Sequence, residues 1–104
     1  LHWACLANIE QDYTVFVHLL GPDDPAAAQD DGPPVGGDYP TSVWAPGETV
    51  IDRRSISLEG LSSGTYHLQV GMYLLESGRR LPTVDGTGTS LPESAVPLTK
   101  VRIP

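Results

Sequence analysis

The sequence predicts an all-β fold, an antiparallel β-sandwich of about seven short strands. Three observations predict it. Apolar and polar residues alternate with a period of two in several segments, which is typical of half-buried strands. Glycine and proline number 11 and 10 of the 104 residues, well above their usual combined share of roughly 12%. Clusters of turn-forming residues separate the apolar segments, and no segment has a convincing helical period.

The first predicted strand is LHWACLA (residues 1–7), in which Leu1, Trp3 and Cys5 alternate on one face. Cys5 is the only cysteine, so an internal disulfide framework and metal sites built from several cysteines are excluded. We interpret Cys5 as a small buried apolar residue rather than a reactive thiol.

The second predicted strand is DYTVFVHLL (residues 12–20), which is apolar on both faces and therefore reads as a central strand that is covered twice. GPDDP then reverses the chain, and AAAQDD (residues 26–31) is predicted to be the returning arm of a hairpin. His18 inside this strand needs a hydrogen-bond partner, and Asp52 is the natural candidate for that structural role.

The segment ETVIDRRSISLEG (residues 48–60) alternates imperfectly. Its apolar residues Val50, Ile56 and Leu58 are predicted to point inward, and the same register takes Asp52 and Arg54 with them. Either a bulge interrupts the segment, or the two charges lie at a rim and pair with each other.

The clearest alternation lies in TYHLQVGMYLL (residues 65–75), and a turn at Ser77-Gly78 is predicted to pair this strand with RRLPTV (residues 79–84). LTKVRIP (residues 98–104) supplies the last strand, with Val101 and Ile103 inward. The inward residues of the 65–75 strand are predicted to be Tyr66, Leu68, Val70, Met72 and Leu74.

Residues 1–104 are long enough for one domain and too short for two. An immunoglobulin- or fibronectin-III-like sandwich is the economical architecture for about seven strands, and a jelly roll is the alternative. Without a cysteine pair, an antibody-type domain is not expected.

The charge balance excludes a nucleic-acid partner. The chain carries 13 acidic and 6 basic side chains, a net charge of −7, and has no clustered cationic surface to neutralise phosphates. No apolar run approaches the ~20 residues that span a bilayer. The chain starts at Leu1 without a leader, so we expect it to be excised from a longer protein.

The segment QDDGPPVGGDYPTSVWAPGE (residues 29–48), here called the strap, is the most unusual part of the sequence, with four prolines and four acidic side chains. Asp30, Asp31, Asp38 and Glu48 are oxygen ligands of the kind that calcium prefers. Their spacing fits no EF-hand or Asp-repeat pattern, and Pro33-Pro34 stiffens the segment where a ligand cage would need to bend. Calcium is therefore a minor alternative, and no metal residue or other cofactor is predicted.

A ligand site on the strap is the second interpretation. Tyr39 and Trp44 offer flat faces to sugar rings, while Asp30 and Asp38 can accept hydrogen bonds from hydroxyl groups. The favoured interpretation is structural: a stiff crossover between sheets, anchored by burial of the two aromatic residues. These four residues are the predicted ligand-binding set.

No catalytic constellation is present in the sequence. His2, His18 and His67 lie apart on different predicted strands, and none of the hydrolase, zinc-protease or phosphate-binding motifs occurs. We therefore predict no catalytic residue and expect that the chain is not an enzyme.

Three stretches resemble a known family: DYTVFVHLL, AQDDGPPVGGDYPTSVWAPGETVIDR and SSGTYHLQVGMYLLESGRRLP. They are similar to the extracytoplasmic C-terminal β domain of prokaryotic membrane glycosyltransferases of the family 39 type, relatives of the protein mannosyltransferases. The resemblance extends from about Asp12 to Pro82. It implies a non-catalytic domain outside the membrane, tethered through its parent chain, whose catalytic acids lie in the membrane-embedded part.

Three functions follow as hypotheses. The first is an accessory domain of a membrane glycosyltransferase, with the membrane-embedded part of the parent chain as its partner and a glycan or acceptor protein as a further one. The second is a free-standing surface module for adhesion or ligand binding, stabilised by calcium in one version. The third is a small hydrolase.

Overall fold

The computed structural model describes residues 1–104. The fold is all-β, with antiparallel pairing throughout, three short 3₁₀ turns and no α-helix. Six strands are present, one fewer than the approximate number predicted. They are β1 (His2–Ala4), β2 (Thr14–Leu20), β3 (Ala28–Gln29), β4 (Thr49–Ile51), β5 (Gly64–Tyr73) and β6 (Val96–Ile103).

Four strands form the larger sheet in the order β3-β2-β5-β6. Val17 of β2 lies opposite Val70 of β5, and His18 lies opposite Gln69. Directly opposed residues share a face, so the first pair points to the core and the second to the outer face. The alternation predicted for β5, the central position of β2 in its sheet and the hairpin of β2 with β3 are confirmed.

The remaining strands, β1 and β4, form a two-stranded sheet in which Trp3 lies opposite Val50. Both sheets contribute to a single apolar cluster. Cys5 is buried in it, as predicted, and its Sγ donates to the carbonyl of Ala7 at 3.1 Å. The buried members of the cluster are Cys5, Val15, Val17, Trp44, Val50, Val70 and Met72.

The segment 48–60 forms a strand only at β4. Beyond Ile51 the segment no longer pairs with β1. The carboxylate of Asp52 instead accepts from the N–H of Val35 in the strap. Leu58, predicted to point inward, is 45% exposed. That prediction was wrong because the strand on which it rested does not continue to residue 58.

The predicted turn at Ser77-Gly78 is present, with the Gly78 N–H donating to the carbonyl of Leu74 at 2.7 Å. Its returning arm is not a strand and forms only one isolated bridge to β5, between Tyr73 and Arg80. Pro82 follows closely and has no N–H to continue a ladder. Besides β2, the strand that pairs with β5 along its length is β6, with a bulge between Leu68 and Gln69. β6 forms the edge of the sheet.

Candidate ligand-binding site

The strap leads from β3 in the larger sheet to β4 in the smaller one, as the crossover interpretation requires. Trp44 anchors it in the core, where only 4% of the residue is exposed. Its indole Nε1 donates to the carbonyl of Tyr39 at 2.9 Å. The two predicted aromatic residues are thus brought together, but the Trp44 ring packs inside the protein and offers no face to solvent.

Tyr39 closes the far end of the strap through Glu48. Its hydroxyl donates to Oε2 of Glu48 at 2.7 Å, and the Ala45 N–H donates to Oε1 at 2.9 Å. The Ala45 N–H and the Tyr39 hydroxyl lower the pKa of the Glu48 carboxyl, because both hydrogen bonds favour its charged form. The same hydrogen bond to Glu48 raises the pKa of Tyr39. The Tyr39 hydroxyl is therefore used for a hydrogen bond within the strap.

Thr41, which sequence reasoning missed, joins the strap to the segment before β2. It is fully buried. Its Oγ1 donates to the carbonyl of Gln11 at 2.6 Å and accepts from the N–H of Tyr13 at 3.0 Å. A threonine between Pro40 and Ser42 carries no pattern that distinguishes this role from an exposed turn position.

The two predicted aspartates lie at different places on the strap. Asp30 is half-buried and its Oδ2 accepts from the N–H of Ser55 at 3.2 Å. Asp38 is exposed and its carboxylate makes no hydrogen bond. The structure therefore does not gather the four predicted residues around one point, and no group of three or more His, Cys, Asp or Glu side chains is arranged to hold a metal ion.

Asp52 and Arg54 form a buried ion pair that holds the start of the strap. Asp52 is fully buried, and its Oδ2 lies 2.9 Å from Nη2 of Arg54. Arg54 Nη2 also donates to the carbonyl of Gly32 at 3.0 Å. The two charges pair, as one predicted alternative required, but inside the protein rather than at a rim. Loss of either partner would leave a buried charge uncompensated, so the pair constrains the path of the strap.

A row of three polar side chains lies on the outer face of the larger sheet. His18 does not pair with Asp52; its Nε2 lies 3.1 Å from Oδ1 of Asp31. The Tyr73 hydroxyl donates to Oδ2 of the same aspartate at 3.3 Å. The side chains of His18 and Asp31 are 22% and 23% exposed. Burial, with the nearby Asp31 charge, raises the pKa of Tyr73. We call His18, Asp31 and Tyr73 the outer-face row.

Phe16 lies beside this row and is covered from outside. Its ring centroid is 4.8 Å from that of His18, and the guanidinium carbon of Arg80 lies 4.3 Å from the Phe16 centroid. Arg80 Nη1 also donates to the carbonyl of Glu93 at 2.8 Å. The outer face of β2 is therefore covered at Phe16 and accessible at His18.

The outer-face row presents an imidazole, a carboxylate and a phenol that are already hydrogen-bonded to one another. Such groups can exchange hydrogen bonds with the hydroxyl groups of a ligand.

None of the three 3₁₀ turns has the length and apolar character of a membrane-spanning helix. Comparisons with protein-family models, with curated proteins and with solved structures found no match.

Proposed function

We propose that this chain is a non-catalytic β domain outside the membrane, which serves a membrane-embedded glycosyltransferase as an accessory domain and is tethered through the parent chain. In this proposal its architecture is an antiparallel β-sandwich of the immunoglobulin or fibronectin-III type, with a jelly roll as the alternative. Two antiparallel sheets that share one apolar cluster support a sandwich.

The family resemblance supports the accessory role. The resembling stretches coincide with β2, with the strap and its continuation through β4, and with β5. These segments meet in the apolar cluster, which takes buried residues from each of them. The resemblance therefore covers the part of the chain that builds the core.

The outer-face row is the observation that carries the proposed contact with a glycan or with an acceptor protein. The strap uses Tyr39 and Trp44 for its own structure. The row, in contrast, leaves two of its side chains partly exposed next to an aromatic ring. A sugar hydroxyl both donates and accepts, so it can join a row that ends in an imidazole and a phenol.

The test is a glycan array probed with this chain, followed by incubation of each bound glycan with the chain in solution. We expect retention of at least one class of glycan with no change in the glycan recovered afterwards. A chain that binds no glycan at any position would overturn the proposed contact. Conversion of any glycan would overturn the non-catalytic assignment and favour the small hydrolase.

The free-standing adhesion module remains the second candidate, because the row would serve it equally well. The two are separated by the reading frame that encodes the chain. Membrane spans encoded upstream of Leu1 in the same frame would support the accessory domain, and a frame without them would support the free-standing module.

A further inference from the structure

A polar cleft lies where the strap begins, next to the outer-face row. Its volume is about 260 Å³, and none of the seven residues that line it is hydrophobic. Asp31 belongs both to this cleft and to the row, so the two features are continuous. We call this space the strap cleft, and the charged residues that line it are Asp30, Asp31, Arg53 and Arg54.

Two of the four charges are already committed within the protein. Arg54 is held by Asp52 and by the backbone of the strap, and both oxygens of Asp31 are engaged by the row. Arg53 is exposed and makes no hydrogen bond or ion pair. Asp30 uses one oxygen to accept from Ser55. The cleft thus retains a free guanidinium donor and a free carboxylate oxygen.

This combination selects for an uncharged ligand that both donates and accepts. An anionic ligand would meet two aspartates and a chain of net charge −7, and a cationic ligand would meet the guanidinium of Arg53. The vicinal hydroxyl groups of a sugar can donate to a carboxylate while accepting from a guanidinium. The volume is close to the lower limit of ligand sites, roughly 300 Å³, and is therefore sized for a single ring.

We infer that the strap cleft binds one ring of a neutral sugar, with Arg53 donating to it and Asp30 accepting from it, and with the outer-face row as its flank. This inference rests on the proposed glycan contact and gives it a site and a ligand class. It keeps Asp30 from the predicted ligand-binding set and replaces the two aromatic residues of the strap with Arg53, which follows β4.

The experiment is a ¹⁵N–¹H NMR titration of the whole chain with neutral methyl glycosides of glucose, galactose and mannose. Methyl glucuronide and glucosamine serve as the anionic and cationic counterparts of glucose. We expect shifts concentrated at the amides of residues 30–32, 35, 36 and 53–55 for at least one neutral glycoside. Binding should be at least about threefold tighter for the neutral ring than for methyl glucuronide, because the two aspartates and the net charge oppose an anion. It should be no weaker than for glucosamine, since an ammonium group cannot accept from the guanidinium of Arg53.

Two variants locate the site, each with a control that makes the same change in charge. Arg53→Ala and Asp30→Asn are each expected to weaken binding about tenfold, the effect of one hydrogen bond to a charged group. Arg79→Ala, at an exposed arginine of the β5–β6 connection, and Asp23→Asn, at an exposed aspartate between β2 and β3, are expected to leave it unchanged. The dispersion of each spectrum shows whether the variant is folded.

The outcomes separate the inference from the proposed function. If the array retains glycans but the shifts fall elsewhere, or if Asp23→Asn weakens binding and Asp30→Asn does not, the inference fails and the proposed function stands. Tighter binding of methyl glucuronide or glucosamine than of methyl glucoside would also overturn it. If neither method detects any sugar, both fail together.

Discussion

Two long connections, the strap and residues 74–95 between β5 and β6, differ in how they belong to the fold. Both contain glycine and proline and lack regular strands. The strap buries Pro34, Thr41 and Trp44, whereas the second connection buries only Ala95. The second connection also contains large apolar side chains, but Leu75 is 73% exposed, so a long connection joins the core only where its path places such a side chain inside, as the strap does with Trp44.

Their hydrogen bonds differ in the same sense. Thr41 of the strap bonds to Gln11, thirty positions away in sequence. The side chain of Asp85 in the second connection bonds to Thr87 and to the N–H of Thr89, within its own turn. The cost of burying polar groups of the strap is offset by hydrogen bonds to distant parts of the chain. The second connection forms its side-chain hydrogen bonds mostly within itself.

The largest expected effect comes from Trp44→Ala, which removes the strap's anchor. We expect a loss of about 3–5 kcal/mol in the free energy of unfolding from the lost burial and the cavity left behind. Leu75→Ala in the second connection is the control, since that residue is 73% exposed, and should change it by less than about 0.5 kcal/mol. Chemical denaturation measures both, and equal losses would show that the two connections do not differ as described.

A smaller effect is expected where the second connection touches the sheet. A β-carbon at Gly71 would clash with the Phe16 ring and lie 3.1 Å from the carbonyl oxygen of Ser94. Gly71→Ala should therefore cost about 1–3 kcal/mol of stability through overpacking.

Gly86→Ala is the matched substitution inside the second connection, whereas Gly71 lies in β5 beneath it. Nothing lies within 4 Å of its added β-carbon, so we expect no loss and up to about 1 kcal/mol of stabilisation. Thermal unfolding of the two variants compares them. A loss at Gly86 as large as at Gly71 would mean that the second connection is packed as tightly at Gly86 as it is against the sheet at Gly71.

The smallest expected effect is on the dependence of stability on pH. The folded-state pKa of Glu48 is lowered from 4.5, so its contribution is present above that value and is lost as the pH falls through the folded pKa. The folded-state pKa of Tyr39 is raised from 10.0, so its contribution is present below that value and is lost as the pH rises.

Melting temperatures from about pH 3 to about pH 11 test this pair. Glu48→Gln should flatten the acid side of the curve, and Tyr39→Phe should flatten the alkaline side. Asp85→Asn in the second connection should flatten only the acid side, because the Asp85 pKa is lowered by hydrogen bonds from Thr87 with no phenol in the network. A Tyr39→Phe curve that falls as steeply as the wild type at alkaline pH would contradict the assignment.

The core strands were predictable from the sequence because the face that each residue occupies in a packed strand determines whether it must be apolar. The alternating pattern therefore remains visible in the sequence. The spacing alone predicts the inward face of Val70 and Met72, and both lie in the apolar cluster. The strand assigned to residues 48–60 failed beyond Ile51, because Asp52 and Arg54 turn to the strap. Their destination depends on a contact between distant parts of the chain, which periodicity does not encode.

The site was less predictable than the fold. Trp44 and Tyr39 were correctly favoured as anchors of a crossover, since large aromatic side chains are mostly buried. The outer-face row was missed, although alternation alone puts His18 on the outer face of β2. Recognition of Asp31 and Tyr73 as its partners required the registers of β3 and β5 against β2, and these are set by the whole sheet.

The edge position of β6 has a consequence for the behaviour of the chain in concentrated solution. An unpaired strand edge is a template on which other copies can stack and aggregate. Pro97 removes one donor from this strand, exposed Lys100 adds a positive charge, and the bulge opposite them breaks the regular spacing of the ladder. Together these features disfavour sheet-to-sheet polymerisation, so the domain carries its own protection against fibril growth.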